Sequence, residues 1–577
     1  MQALLDVLNA INGVLWHTYV LYVLLGVGIL FTVWSGFGQY RAITHGTAVV
    51  RGKYDDKDDP GAINHFQALS TALSATVGLG NIAGVAIAIS VGGPGAVFWM
   101  WVTGLVGMCL KLTEVTQAMM FRDTTDPENP RGGAMWVCKK GFAKINPALA
   151  PLGVAAGAIF CITLLISTVT GGNIFQAWNV ADIGFAYFGI PKFVSTLVLT
   201  LGVGVVIVGG IKRIGDVAGR IVPFMCVAYV LAGLYVIVTN AGEIPAMFAL
   251  IFREAFNPSE ASGAFLGGAM GYGFLKGMQR ALFSNEAGQG SAPIAHAAAK
   301  TDEPVREGVV AGLEPFIDTL VVCTITAMVI LLSGAWNRAP ALAFKGEPPI
   351  AVLDAEGKWE FPPTAVYAQD ENEAAGQLRT GNEVYLVVEA GANEETGGKR
   401  HKIKGKLSGD PDAGFVALWD AVKLPEAPTI AIEGVYFDFN GATLTAKAYD
   451  RVLPGLGLWV VPIVAFLFAF STIISWSYYG EQGVTYLFGQ GSVLPYRIVY
   501  CLLVLVSSSA LINSKTIEDI STLGTGVMLW ANIPIMLIFG PMAMKEYHNY
   551  MGRLKRGEMK GHAYPKVTDV VEGKDVE

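Results

Sequence analysis

The stretch Ser74-Ala-Thr-Val-Gly-Leu-Gly-Asn81 places a glycine-rich break inside an apolar run that extends from about Phe66 to Val91. The run is long enough to cross a bilayer as a helix. Gly78 and Gly80 weaken that helix at its middle, at the depth where unpaired backbone N–H and C=O groups cost most. A chain tolerates such a break only where the loosened backbone is buried in protein or lines a cavity. Two readings follow: a glycine-packed helix interface, or a discontinuous span of the kind that binds substrate and ions in secondary transporters.

The rest of the chain decides what kind of molecule carries this break. Of 577 residues, 53% are hydrophobic and 15% charged, with a mean hydropathy of +0.47. The apolar residues fall in blocks of membrane-spanning length, so the sequence reads as an all-α polytopic membrane protein rather than a soluble domain. No cleavable signal is expected, since the first span lacks a basic leader and a small-residue cleavage site. The net charge of -7 and the lack of a basic tract give no sign of nucleic acid. Five of six cysteines, Cys109, Cys161, Cys226, Cys323 and Cys501, lie in apolar spans with neither disulfide nor metal-ligand spacing, and read as packing residues.

Eleven spans are expected, at about 16-34, 66-91, 94-121, 151-171, 193-210, 216-240, 263-298, 308-334, 456-478, 492-512 and 520-544. The seventh carries Lys276, Arg280, Glu286 and His296 and rests on charge bias rather than hydropathy. Met1 to Thr18 holds no Lys or Arg, whereas Lys545 to Glu577 holds seven. The positive-inside rule therefore puts the N-terminus outside and the C-terminus in the cytoplasm, which requires an odd number of spans. Without the first span, ten remain as two sets of five, about 66-240 and from about 263 onward, each opened by a glycine-rich, broken span. An odd set inverts its successor, and inverted five-helix repeats led by discontinuous helices are the LeuT-type pattern, here with one extra N-terminal helix.

These spans divide into a transport core over 1-334 and 456-545 and a cytoplasmic tail over 546-577. Residues 335-455 change character. They are polar, with β-like runs at Glu383–Val388, Thr429–Ile432 and Val435–Phe439, and read as a small all-β extracytoplasmic insert with no cysteine.

At the first break, a helix restarting after Gly78 would offer free N–H groups and a positive dipole end to a carboxylate against Leu79 and Gly80. Carbonyls freed from Ser74 to Val77 could coordinate a hard cation such as Na⁺. Thr76 and Asn81 add side-chain oxygens, with a cap on the second half-helix as the alternative role of Asn81. The second broken span carries Phe283-Ser-Asn-Glu-Ala-Gly-Gln-Gly-Ser-Ala292, whose freed carbonyls suit an ammonium group, with Phe283 closing the pocket. Glu286 is either functional or salt-bridged to Arg280 or Lys276. Glu314 and Asp318, spaced i,i+4, each need a separate partner. Lys111 and Glu114 read as a snorkelling pair near the inner end of their span. Ser471 and Thr472 could hold a cation against the first break, or bond back to their own helix. Trp476 lies one turn further on, and Gln176 follows Gly171-Gly-Asn173. No enzyme constellation emerges, since histidines are few and scattered.

The runs Val77-Gly-Leu-Gly-Asn-Ile-Ala-Gly-Val85, Gly92-Gly-Pro-Gly-Ala-Val-Phe-Trp-Met100, Leu282 to Lys300, Phe316-Ile-Asp-Thr-Leu320 and Phe470 to Gly480 closely resemble the alanine or glycine:cation symporter family. The resemblance covers about residues 10 to 550. It implies a LeuT-type fold in a bacterial plasma (inner) membrane and symport of alanine or glycine with Na⁺, or H⁺ in some members, without a cofactor. On matching positions it implies substrate contacts at Thr76, Gly78, Gly80, Gln176, Phe283, Asn285, Ala287 and Trp476, beside Leu79. It implies a sodium site at Ser74, Val77, Ser471 and Thr472. Asn81 and Glu286 stay unassigned. The outside loop before the ninth span is ordinarily short in this family, so the insert's partner and role are open. An amino acid receptor built on that insert is the rival to transport.

Overall fold

The computed structural model describes the chain except residues 1, 258–260, 269–270, 370–377, 394–395, 411–413, 440, 510–513, 560 and 575–577. Among the described residues, seven helices are long and apolar enough to cross a membrane: Val7–Trp34, Gly95–Phe121, Pro147–Phe188, Gly210–Thr239, Pro304–Leu332, Leu456–Phe488 and Lys515–Lys555. An eighth passage is the pair His65–Thr76 and Gly80–Gly92, bent by 49° at the predicted break. Two shorter apolar helices, Lys192–Ile207 and Gln490–Val506, stand at the fifth and tenth expected positions.

The two broken segments are built by local chemistry. The first starts from a reciprocal cap, in which the Asn64 side chain accepts from Gln67 N and the Gln67 side chain accepts from Asn64 N. It stops at Val77, whose ψ of 82° leaves the helical region. The second runs over Tyr272–Asn285 and stops at Glu286, which takes a left-handed φ of 55°. Gly288 and Gly290, at φ 82° and 79°, carry the chain through a turn that side chains resist. Pro293 then opens the short helix Ala292–His296. Gln67 to Ala86 is buried without interruption. Gly210–Thr239, by contrast, turns Phe224, Leu231 and Val238 outward at 61–69% exposure, an apolar surface suited to lipid.

Three spans differ from expectation. The fourth does not end near residue 171. Thr170–Ile174 forms a wide five-residue turn that continues into the helix Phe175–Phe188. Its glycines admit neighbouring rings, since a Cβ on Gly172 would collide with Trp476 and one on Gly171 would lie 3.1 Å from Phe283. Helix Leu456–Phe488 runs ten residues beyond its expected end. The last helix, Ser514–Lys555, extends well into the expected tail. Beyond it, a short helix Val567–Val571 folds back, and Val570 O accepts from Asn64 Nδ2 at 2.7 Å.

The polar stretch forms a closed six-stranded barrel: β1 (Leu342–Phe344), β2 (Thr364–Ala368), β3 (Glu383–Glu389), β4 (Arg400–Asp410), β5 (Gly414–Trp419) and β6 (Thr429–Phe437). All neighbours are antiparallel, in the order β1-β2-β5-β4-β3-β6, and Leu342 pairs with both Ala368 and Val435 to close the ring. Leu342, Val384, Leu407, Phe415, Ala417 and Val435 fill its core. The stretch is not all strand, because Ala442–Val452 is a helix buried against Leu456–Phe488 and the first broken segment. Its Thr445 hydroxyl donates to Ile82 O at 3.0 Å. The barrel lies at the end of span Pro304–Leu332 opposite to the tail.

Arg338 fastens the barrel to the bundle. It donates to Ala335 O at 3.0 Å and Phe437 O at 2.7 Å, and lies 4.8 Å from the centre of the Phe439 ring. Arg338→Ala is expected to destabilise this junction by about 1.5–3 kcal/mol, the usual range for hydrogen bonds to a charged group. Limited proteolysis in detergent checks it: cleavage between residues 335 and 345 should accelerate, and unchanged kinetics would count against the clamp.

Candidate functional site

Both broken segments, the wide turn at Thr170–Ile174 and two long helices converge on one buried cavity. Ala75, Thr76 and Gly80 come from the first break, and Phe283, Glu286 and Gln289 from the second. Ser167, Gly171 and Gln176 close one side, and Trp476 and Thr525 another. The space open to the centre of a water molecule is about 10 Å³, room for about one water. In this state the walls must part to admit an amino acid.

The amide donors of the first break already have partners. Gln176 Oε1 accepts from Leu79 N at 3.0 Å, and Asn81 Oδ1 accepts from Gly78 N at 2.9 Å. A carboxylate entering here would replace Gln176, whose own amide donates to Gly171 O. Asn81 faces away from the cavity. Its amide donates to Asp318 Oδ1 at 2.6 Å and to Asp318 O at 3.2 Å, a tie to another helix rather than a cap of its own. Asp318 also accepts from Ser284 Oγ and Thr319 Oγ1, so one buried carboxylate ties the first break to the second.

Expected residues sort by geometry. Thr76, Gly80, Gln176, Phe283, Trp476 and Glu286 line the cavity. Gly78 and Leu79 lie at its edge through Gln176. Asn285 and Ala287 are turned out of it: Asn285 donates to Thr319 Oγ1 and accepts from Ala287 N, while Ala287 packs on Gly107. Ser74 and Thr472 meet directly, Thr472 Oγ1 donating to Ser74 O at 3.0 Å and Ser74 Oγ to Ser471 O at 2.7 Å. The Ser471 hydroxyl points instead to Phe468 O and Met225 Sδ. Val77 keeps its N–H on Leu73 O.

Glu286 has neither basic partner that the sequence offered. Arg280 and Lys276 both reach Glu518, on the last long helix. Glu286 instead accepts from Trp476 Nε1 at 3.0 Å and Ser291 Oγ at 2.5 Å. A glutamate held in the left-handed region at a cavity wall is the kind of backbone cost that concentrates at functional sites. Lys111 does not snorkel. It is fully buried, and Glu314 Oε2 at 3.2 Å is nearer to it than Glu114 Oε1 at 3.9 Å. Sequence reasoning missed Ser167, Gln289 and Thr525. The small, polar run Ser521-Thr-Leu-Gly-Thr-Gly526 inside an apolar span was the available signal for Thr525.

Gly78 is one of the tight points of the site. A Cβ there would collide with Thr472 Oγ1 and lie 3.2 Å from Gln176 Oε1. Gly78→Ala is expected to lower amino acid uptake at least tenfold, about 1.4 kcal/mol or more, with surface expression retained. Uptake by a normally expressed variant within twofold of the unsubstituted protein would show that this contact yields freely.

Comparison with known proteins agrees with this architecture. The model of the sodium:alanine symporter family matches residues 1–347 and 426–564. The sodium/alanine symporter AgcS of Methanococcus maripaludis is 33% identical over 541 residues, 94% of this chain and 96% of its own. The putative sodium/proton-dependent alanine carrier protein YrbD of Bacillus subtilis is 32% identical, covering 96% and 93%. The probable sodium/glutamine symporter GlnT of the same organism is 35% identical over 58% of this chain and 70% of its own. With the family match spanning the helical bundle on both sides of the barrel, the chain belongs to the sodium:alanine symporter family.

Proposed function

We propose that the protein imports alanine or glycine with Na⁺ by alternating access, binding the amino acid between the two broken segments. As a symporter it is no enzyme, and nothing favours the receptor reading. The observation that carries the proposal is convergence: Thr76, Gly80, Gln176, Phe283, Glu286 and Trp476 line one closed cavity at the two breaks. The substrate carboxylate takes the Leu79 N–H from Gln176. The ammonium group faces the second break, where Glu286 and freed carbonyls supply acceptors. The packing of Phe283 and Trp476 against Gly171 and Gly172 favours a small side chain over that of glutamine.

Sodium belongs where the Ser74 carbonyl meets the Thr472 hydroxyl, with Val77 O and, after rotation, Ser471 Oγ completing the oxygens. The ion then fixes the helix end that presents the carboxylate site, so each ligand raises affinity for the other. Reading the second broken segment and the two shorter helices as spans brings the total to eleven. Two inverted sets of five, an outside N-terminus and barrel and a cytoplasmic tail follow from that count and from the Lys and Arg bias; a bacterial inner membrane rests on the family resemblance alone.

Radiolabelled alanine uptake into proteoliposomes, with Na⁺ and pH gradients imposed separately, tests this reading. Accumulation driven by inward Na⁺, competed by glycine but not by equal glutamine, is expected. Saturable binding without accumulation would defeat it. Thr472→Ala is expected to raise the Na⁺ concentration for half-maximal uptake about tenfold, since one such contact is worth about 1 kcal/mol or somewhat more. Ser471→Ala should have the smaller effect, its hydroxyl being turned away. Equal Na⁺ dependence in both variants and the unsubstituted protein would remove the cation from this place.

A further inference from the structure

A line of buried ionisable groups that the binding site does not use leads from the cavity to the tail-side face. Lys111 stands 3.2 Å from Glu314 Oε2, and Glu314 Oε1 is 2.7 Å from His296 Nε2. His296 Nδ1 is 2.5 Å from Glu307 Oε1, and the other oxygen of Glu307 is hydrogen-bonded to His65 Nδ1. His65 Nε2 is 3.9 Å from Asp55 Oδ1. Asp55 is 17% exposed and lines a polar pocket with Asp56, Lys57 and Lys300. All the other members are at most 1% exposed.

The hydrogen-bonding chemistry leaves a proton without a fixed address. Neutral imidazole has one donor and one acceptor, yet both nitrogens of His296 face carboxylates. Either His296 is a cation or one of the two glutamates carries a proton, and the difference between these states is a transfer across 2.5 or 2.7 Å. Where ion pairs in the line are not closed by a hydrogen bond, buried polar atoms remain without one among the described residues: Lys111 Nζ, Glu314 Oε2 and Glu114 Oε1 at one end, His65 Nε2 and Asp55 Oδ1 at the other. Each gap is short enough for a single water to bridge. Towards the cavity, adjacent Gly290 and Ser291 bind Glu114 and Glu286 respectively, and the buried Tyr479 hydroxyl has no hydrogen-bond partner among the described residues.

Three neighbouring basic groups have partners outside the line. Arg122, from helix Gly95–Phe121, donates to the carbonyls of Ala297, Ala299 and Thr301. Arg306, beside Glu307 in sequence, turns to Tyr54 O and Asp59. His45 is held by Tyr550. At the mouth, burial pushes the Asp55 carboxyl above its ordinary range, opposed by the His65 imidazole, so it can exchange protons with water closer to neutrality.

We propose that Lys111, Glu314, His296, Glu307, His65 and Asp55 form a proton path that delivers a proton from Glu286 in the substrate cavity to the tail-side face as alanine is imported. Lys111 passes a proton to Glu314 Oε2 and is reprotonated from Glu286 through intervening water. Glu314 then protonates His296 Nε2 as the Nδ1 proton leaves to Glu307, and Glu307 loads His65 Nδ1 as the Nε2 proton leaves to Asp55 and solvent. No bond other than O–H and N–H changes. The proposal rests on the transport reading above and adds to it a route and a proton cargo.

The test uses proteoliposomes loaded with a pH-sensitive dye, in which alanine entry and luminal pH are read together under an inward Na⁺ gradient with the membrane potential clamped. The lumen is expected to acidify in fixed proportion to alanine taken up. Glu307→Gln, and independently His296→Gln should the first not fold, is expected to lower the proton-to-alanine ratio at least tenfold. A structural ion network would lower uptake or stability without moving that ratio. Alanine uptake at constant luminal pH, or an unchanged ratio in a folded variant, would overturn the path and leave the transport reading standing. No alanine uptake by the unsubstituted protein would overturn both.

Discussion

The structure depends on pairing the backbone groups that two helix breaks set free inside an apolar bundle. Each such group left bare in that setting costs several kcal/mol. At the first break the partners are side chains from distant spans: Gln176 on Leu79 N, Asn81 on Gly78 N, and Thr472 on Ser74 O. At the second, Gln289 donates to Leu282 O, Asn532 to Gly288 O, and Glu114 accepts from Gly290 N. Two of the groups that stabilise the breaks, Gln176 and Gln289, also line the cavity. A ligand that enters exchanges partners with them rather than adding contacts to a finished wall, so binding and helix position are one equilibrium.

Asp318 shows how closely the two breaks are joined. Its carboxylate accepts from Asn81 of one and Ser284 of the other, with Thr319 as a third donor. A fully buried carboxylate with three donors is satisfied only while both segments keep their places. Movement of either segment during a cycle must therefore carry Asp318 and helix Pro304–Leu332 along, or find it new donors. That same helix carries Glu307 and Glu314, so a shift that reshapes the cavity also alters the buried carboxylate–histidine contacts about one and three turns toward the tail.

Much of this was legible in the sequence, and the rest failed for a definable reason. Gly78, Gly80 and the small, polar run after Phe283 announced both breaks because composition alone marks helix interruption at membrane depth. Thr76, Gln176, Phe283 and Trp476 were placed at the cavity from motif and spacing. Asn285 and Ala287 belong to the same run but point away: Asn285 ends its helix on the face toward Thr319, and Ala287 lies beyond the φ 55° turn at Glu286, which resets the side-chain phase. The partner of Arg280 lies 238 residues onward at Glu518, and that of Lys111 is not its helical neighbour Glu114 but Glu314. Pairings of such sequence separation are decided by which helices pack together, which no local pattern records. Helix Ala442–Val452 was hidden for a related reason: its charged and hydroxyl residues suit a surface, and only packing against the first break buries them.

The barrel poses the question of how 78 residues, 348 through 425, enter a bundle without disturbing it. The family match stops at 347 and resumes at 426, so β1 and β6 lie inside the matched regions and β2 to β5 between them. Leu342 of β1 pairs with Val435 of β6, which brings the two edges of the unmatched segment side by side. A two-stranded ribbon alone is only marginally stable. Four further strands complete it into a ring with its own apolar core, removing both edges. Chain ends that meet are the geometry in which an inserted domain imposes little strain on its host. Strain is not the only link, however. Ala264 and Leu266, which precede the second broken segment, pack under Tyr385, Val387 and Tyr436, and Ala264 N donates to Arg338 O. The helix that follows β6 donates from Thr445 to the first broken segment. The barrel therefore stands on the approaches to both breaks, and any motion that opens the cavity toward its side must displace the barrel as a unit.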